Sequence, residues 1–249
     1  MHTYDRNYFK IALPAALEGL FMIGALGALS IAAVSIFMQP RLILLCFSRS
    51  LASSVTLLVS QKAGAGDTNG TSDIMKKSLT LCAIFMGLLH ILFYIFLDDI
   101  FYLMGANDEY MAEAMAYGPI ALAAVYVTSL TLILQAVQLG YGRTSVIMKT
   151  NVCGNVVNLA LNALLIFGFG PIPSLGVTGA AIGTLASTIF TLAWTTWILK
   201  NESFFSGGSY LPDRAYFHRM MPIILSILSE QGSERVGMLL FSRMAAGLG

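Results

Sequence analysis

The sequence predicts an all-α protein, a bundle of helices that crosses a membrane several times. Three observations carry that reading. Hydrophobic residues make up 57% of the 249-residue chain and mean hydropathy is +0.76. Charged residues amount to 11%, less than half of the roughly 25% usual in a soluble domain. The apolar residues also gather into seven long runs, each enough to span a hydrocarbon core of about 30 Å as a helix. Only helices and closed barrels satisfy the backbone in lipid, and the runs lack the short alternating segments of barrel strands. A soluble enzyme and a disordered chain are both excluded. With 14 basic against 13 acidic residues, no net field exists to hold nucleic acid.

The runs fall at about 11–38, 42–60, 78–97, 116–139, 146–169, 176–199 and 221–247. The first follows a polar start, Met1 to Lys10, and is too long for the apolar stretch of a cleaved signal, so it reads as a retained span. Between Lys10 and Lys62 the charge pattern asks for two crossings, which leaves a tight outer turn around Met38 to Arg41. Basic residues mark alternate connections: Arg6 and Lys10, then Lys62, Lys76 and Lys77, then Arg143 and Lys149, then Lys200, Arg214 and Arg219. The connection 98–115 holds Asp98, Asp99, Asp108, Glu109 and Glu113 and no basic residue. The positive-inside rule then places the N-terminus in the cytoplasm, in the cell membrane.

Residues 200–218 are the one linker-like stretch, polar with a Gly-Gly pair and a proline. They divide the chain into a six-helix lobe (1–199), a cytoplasmic linker (200–218) and the first helix of an incomplete second lobe (219–249). Cys46, Cys82 and Cys153 stand far apart in apolar runs, so neither a disulfide nor a zinc site is expected. Gly64-Ala-Gly66-Asp67 reads as a turn, and the histidines are scattered, so no catalytic constellation and no cofactor are expected. The sequons at Asn69 and Asn201 fall on the cytoplasmic side and are discounted.

Polar residues inside the spans are the functional candidates. Asn151, Asn155, Asn158 and Asn162 recur at helical spacing along one face of the fifth span. Thr128, Thr131, Gln135 and Gln138 do the same on the fourth. Interhelical hydrogen bonding explains either stripe alone; their coincidence favours a shared hydrated pathway. Gly179, Gly183 and Ser187 form a small-residue ladder that admits a close neighbouring helix, a packing feature. Glu18, one turn past Pro14, and Glu230 are candidates for binding an ion or organic cation. Glu234 shares a face with Glu230, which is the preferred candidate of the two. Arg49 lies too deep in its span to reach the surface, and reads either as a structural charge or as part of the pathway. His90 reads as a satisfied polar side chain.

Several segments together resemble the multidrug and toxic compound extrusion (MATE) family. They are ALPAALEGL near the start, LLVSQKAGAGD, LQAVQLGYGRTSVIM, the run NVVNLALNALLIFG with PSLGVTGAAIGTLAS, and the closing MPIILSILSEQGSERVGMLLFSRMAAGLG. The resemblance implies two six-helix lobes around a cavity open alternately to either side. It implies export of drugs and small organic cations in exchange for Na⁺ or H⁺. The family's fifth-helix polar motif then falls on Asn158 and Asn162, and its seventh-helix carboxylate on Glu230. Where some members carry a fifth-helix aspartate, Asn162 cannot titrate. The chain stops at the seventh helix, so a complementary second lobe is an expected partner beside the lipid bilayer. The first helix also reads as shortened where the family carries an ion-binding aspartate. A lipid-linked saccharide flippase of the same superfamily and a non-transporting remnant or assembly partner stand as alternatives.

Overall fold

The computed structural model describes residues 28–169, 173–202 and 204–246, with side chains within residues 30–234. In chain order the helices are α1 (Ala28–Gly64), α2 (Thr68–Ile95), α3 (Leu97–Leu103), α4 (Asp108–Gly140), α5 (Thr144–Phe167), α6 (Gly176–Asn201) and α7 (Arg214–Ala246). Among the described residues no sheet forms. Five helices, α1, α2, α4, α5 and α6, are long and apolar enough to cross a membrane. Glu18 and the start of the first expected span lie outside the described residues.

The expected turn at Met38 to Arg41 does not exist. α1 runs unbroken through Pro40. A proline inside a helix removes one backbone hydrogen bond and bends the axis, yet here the buried face continues across it. Ala33, Phe37, Pro40, Leu44 and Ser48 follow one another at steps of three and four, all buried. Packing on both sides of the proline therefore outweighs the lost bond. The helix has 37 residues, about 55 Å at 1.5 Å per residue, so 28–64 is one long element rather than parts of two.

α4 is the centre of the bundle, packed against α1, α2 and α6. The hydroxyls of Ser48 and Ser129 share a hydrogen bond of 2.7 Å between α1 and α4. Phe37 meets Tyr117 edge to face at 5.7 Å. Gly140 matters for approach: a side chain there would overlap Val59. At the acidic end of the bundle, Ser30 donates to Glu113 at 2.8 Å. The short α3 tucks Leu97 and Phe101 beneath α4, against Gly118.

At the basic end, α1 turns into α2 through Gly66, whose φ of 68° suits glycine. Asp67 caps α2 by accepting from the Gly70 N–H at 2.7 Å. Its carboxyl is held below the usual carboxylate range, first by the hydrogen bond from Lys62 and then by that N–H.

The connection between α6 and α7 is shorter than the expected 200–218, because α7 starts at Arg214. It is also fastened down. Ser72 on α2 donates to the carbonyls of Phe204 and Gly207 at 2.5 and 2.8 Å. Asp73 accepts from the Ser209 N–H at 3.0 Å. Lys77 bridges Asp73 and Asp213 at 2.7 and 2.5 Å. Arg143 pairs with Glu202. The Gly-Gly pair is what lets the chain lie this close: a Cβ on Gly207 or Gly208 would run into Asn69 or Asp73.

Candidate functional site: two adjoining cavities

Arg49, Ala52, Ser53 and Thr56 of α1 form one wall of a cavity of about 510 Å³. Leu132, Gln135, Ala136 and Leu139 of α4, Ile147 of α5, and Gln231 and Glu234 of α7 complete it. It lies where α7 leans on the bundle, so its walls come from both sides of the linker. Arg49 and Glu234 are exposed within it. They stand on facing helices and form no ion pair within 4 Å among the described residues.

A second cavity, of about 220 Å³, opens between α4, α5 and α6. Thr128, Thr131, Leu132, Gln135, Asn151, Asn155, Thr188 and Thr191 line it. Gln135 borders both cavities. Its Nε2 donates to Asn151 Oδ1 at 2.7 Å, tying the α4 and α5 stripes together. The threonine protons here are already committed. Thr128 and Thr131 donate to the carbonyls of Ala124 and Val127 at 2.8 and 3.0 Å. Thr188 and Thr191 donate to those of Leu185 and Ser187, each at 2.8 Å. Their oxygens keep only lone pairs for a guest. The chamber is uncharged and rich in acceptors, chemistry suited to an ammonium N–H or a small cation.

The asparagine stripe divides along its length. Asn151 and Asn155 face the second cavity. Asn158 and Asn162 are instead buried, at 6% and 1% exposure, and line neither cavity. Their place is the seam between α5 and α6. Asn158 Nδ2 donates to Ser187 at 3.1 Å and Thr184 at 3.4 Å. Asn162 Nδ2 donates to Asn158 Oδ1 at 3.2 Å, while Asn162 Oδ1 has no partner among the described residues. The reason is the glycine ladder. Gly183 sits against Asn162 and Gly179 against the Leu165 carbonyl, so the helices nearly touch there. Gly154 lies against Thr191 in the same way.

Gln138 also departs from a cavity wall. It is 1% exposed and neither amide atom finds a partner among the described residues. One turn beyond Gln135, α4 closes on Val59 through Gly140 and leaves no open space. His90 is half satisfied: Nδ1 bonds the Met86 carbonyl at 2.6 Å and Nε2 has no partner among the described residues.

Glu230 is exposed and lines neither cavity; Glu234 does. Helical geometry explains the exchange. With 100° per residue, Gln231 and Glu234 lie about 60° apart and point to one side, whereas Glu230 and Gln231 lie about 100° apart. Glu234, second to Glu230 as a candidate from the sequence, is the one that reaches the larger cavity. Its pairing with Gln231 was the available signal.

Comparison with known proteins gives consistent results. The MatE family model matches residues 19–164, more than half of the chain. An FAD transporter of Shewanella oneidensis is 29% identical over 190 residues, covering 74% of this chain and 41% of that protein. A probable multidrug resistance protein NorM of Deinococcus radiodurans is 27% identical over 236 residues, covering 92% of this chain and 51% of that protein. A crystal structure of MATE in the straight conformation superposes with a TM-score of 0.84 at 23% identity, over 98% of this chain and 54% of that one. An outward-facing multidrug resistance MATE transporter of the MOP superfamily gives 0.82 at 24% identity, over 94% and 51%. The structural likeness establishes the fold. The chain spans about half the length of these relatives, or less.

Proposed function

Because the chain belongs to the MatE family, a family of multi-pass membrane transporters rather than enzymes, we propose that it forms one lobe and the following helix of a secondary antiporter. The antiporter exports drugs and small organic cations across the cell membrane, with the N-terminus in the cytoplasm. The observation that carries this reading is the pair of cavities meeting at Gln135. One is large and bears a carboxylate, Glu234; the other offers hydroxyl and amide oxygens without free hydroxyl protons. An organic cation gains by leaving water for an apolar wall while its charge meets such acceptors.

Na⁺ or H⁺ entering in exchange supplies the driving force. At the α5–α6 seam the amides cannot carry a proton, and the unpartnered oxygen of Asn162, which lies against Gly183, supports Na⁺ as the ion taken there. Glu234 is the group in the larger cavity able to take either ion or the organic cation. A second lobe completes the far wall.

The test is transport by the complete reading frame that encodes this chain, reconstituted in proteoliposomes with an imposed Na⁺ or H⁺ gradient. A fluorescent aromatic cation is expected to move against its gradient. Glu234→Gln and the pair Gln135→Ala with Asn155→Ala are expected to slow it about tenfold or more, since hydrogen bonds to charged groups are worth about 1.5–3 kcal/mol. Full activity in both variants would sink the assignment of the cavities.

A further inference from the structure

Toward the acidic end of the bundle, α2 and α4 frame a groove of about 410 Å³ that shares no residue with the two cavities above. His90, Ile91 and Tyr94 of α2 line it together with Pro119 and Tyr126 of α4. The groove opens sideways. Leu88, Ile91, Leu92, Tyr94 and Ile95 are each at least half exposed, and on a membrane-crossing helix such an apolar face meets lipid. His90 stands five residues before the end of α2, about 8 Å along the axis. A guest therefore enters from the hydrocarbon, not from water.

His90 gives the groove its chemistry. The side chain is 7% exposed, and Nδ1 bonds the Met86 carbonyl of its own helix at 2.6 Å. A carbonyl has no proton to give, so the proton is on Nδ1 and Nε2 of the neutral ring is an acceptor. With Nδ1 turned back to the α2 backbone, Nε2 on the opposite flank is directed away from that backbone. The Tyr126 ring meets His90 edge to face at 5.5 Å, yet among the described residues Nε2 has no partner. The Tyr126 hydroxyl is not free to supply one, because it already donates to the Ala83 carbonyl at 3.2 Å. A buried acceptor gains most from a donor, and in this groove the donor arrives on a lipid-soluble molecule. An ammonium would carry a charge into a lipid-facing site; a hydroxyl does not. A phenol is a stronger donor than an aliphatic alcohol, and its flat ring suits walls made by Tyr94, Tyr126 and Pro119. We propose that the α2–α4 groove binds lipophilic phenols, with His90 Nε2 accepting the phenolic hydroxyl and the alkyl tail running out into the bilayer.

The probe is a para-alkylphenol with a diazirine in its tail, compared with its own methyl ether, which removes the donor and little else. The complete reading frame is reconstituted in phosphatidylcholine vesicles, whose headgroups offer no competing hydroxyl, and labelled peptides are identified by mass spectrometry. The phenol is expected to half-label the groove segments of α2 and α4 at a concentration about fivefold or more below that of the ether. His90→Phe keeps a ring and removes the acceptor. It is expected to bring the phenol to the level of the ether and to leave the ether within about twofold. Ala123→Leu fills the same groove from an exposed position and is expected to weaken labelling by both. Retained ether labelling shows that His90→Phe is folded. If that variant does not reach the membrane, Ala123→Leu and the wild-type ratio of phenol to ether carry the test. An aliphatic alcohol with the same tail is expected to fall between phenol and ether, and parity with the phenol overturns the assignment to phenols. Equal labelling by phenol and ether, a preference that survives in His90→Phe, or labelling confined to segments outside the groove overturns the site.

Discussion

The two halves of α5 carry the same side chain at the same helical spacing and end in opposite circumstances. Asn151 and Asn155 border open space, whereas Asn158 and Asn162 are locked into the seam with α6. The difference comes from the partner helix. Opposite Asn151 and Asn155, α6 presents Thr188 and Thr191, whose branched side chains leave room for a chamber. Opposite Asn162 it presents Gly183, and the backbones close. A polar stripe thus states that a helix face is not for lipid. Whether it meets water or another helix is written one helix further on.

That contrast can be broken most severely at Gly183. Gly183→Leu forces a side chain into the space of Asn162, and overpacking of this kind costs about 1–3 kcal/mol or more. A marked fall in thermal midpoint in detergent is expected; an unchanged midpoint would mean that the seam is loose. The next effect separates the two asparagine pairs directly. Asn158→Ala removes the bonds to Ser187 and Thr184, and interhelical bonds in membranes average about 0.6 kcal/mol each, so a loss near 1 kcal/mol is expected. Asn155→Ala is expected to leave stability within about 0.5 kcal/mol while slowing transport. The reverse order would dissolve the distinction.

The smallest effect lies at the linker, and its sign follows from Asp213. The Lys77 hydrogen bond, followed by the Tyr216 N–H, holds the Asp213 carboxyl below its ordinary value. A depressed carboxyl contributes its stabilisation above the ordinary range and loses it as pH falls through the lowered value. A spin label at Leu211→Cys, an exposed site, is expected to keep constant mobility from pH 8 to 5. It should loosen only below about pH 4, the ordinary carboxylate range. Adding Asp213→Asn is expected to loosen it at neutral pH.

These contrasts also mark how far the sequence could be read. Four of the helices, α2, α4, α5 and α6, each take in most of one apolar run, because hydropathy and length alone specify a membrane-crossing element. Pro40 misled: beside Arg41 it resembles a turn, but the stripe Ala33, Phe37, Pro40, Leu44 continues through it. The two polar stripes were legible and do meet, at Gln135 and Asn151. Their outer half was not, since the fate of Asn158 and Asn162 depends on a glycine ladder twenty residues or so away. Glu230 and Glu234 are separated by 40° of helix rotation, which matters only once the position of α7 is known.

The fastening of the α6–α7 connection has a mechanical meaning. A connection of a dozen residues between two halves would ordinarily serve as slack rope, letting each half move by itself. Here Ser72, Asp73 and Lys77 grip that rope close to the point where α7 begins. The free length is taken up, and the connection acts as a short crank. Any swing of α7 either drags α2 with it or tears Lys77 from Asp213. Motion at the far wall of the cavity is therefore felt at the base of this lobe.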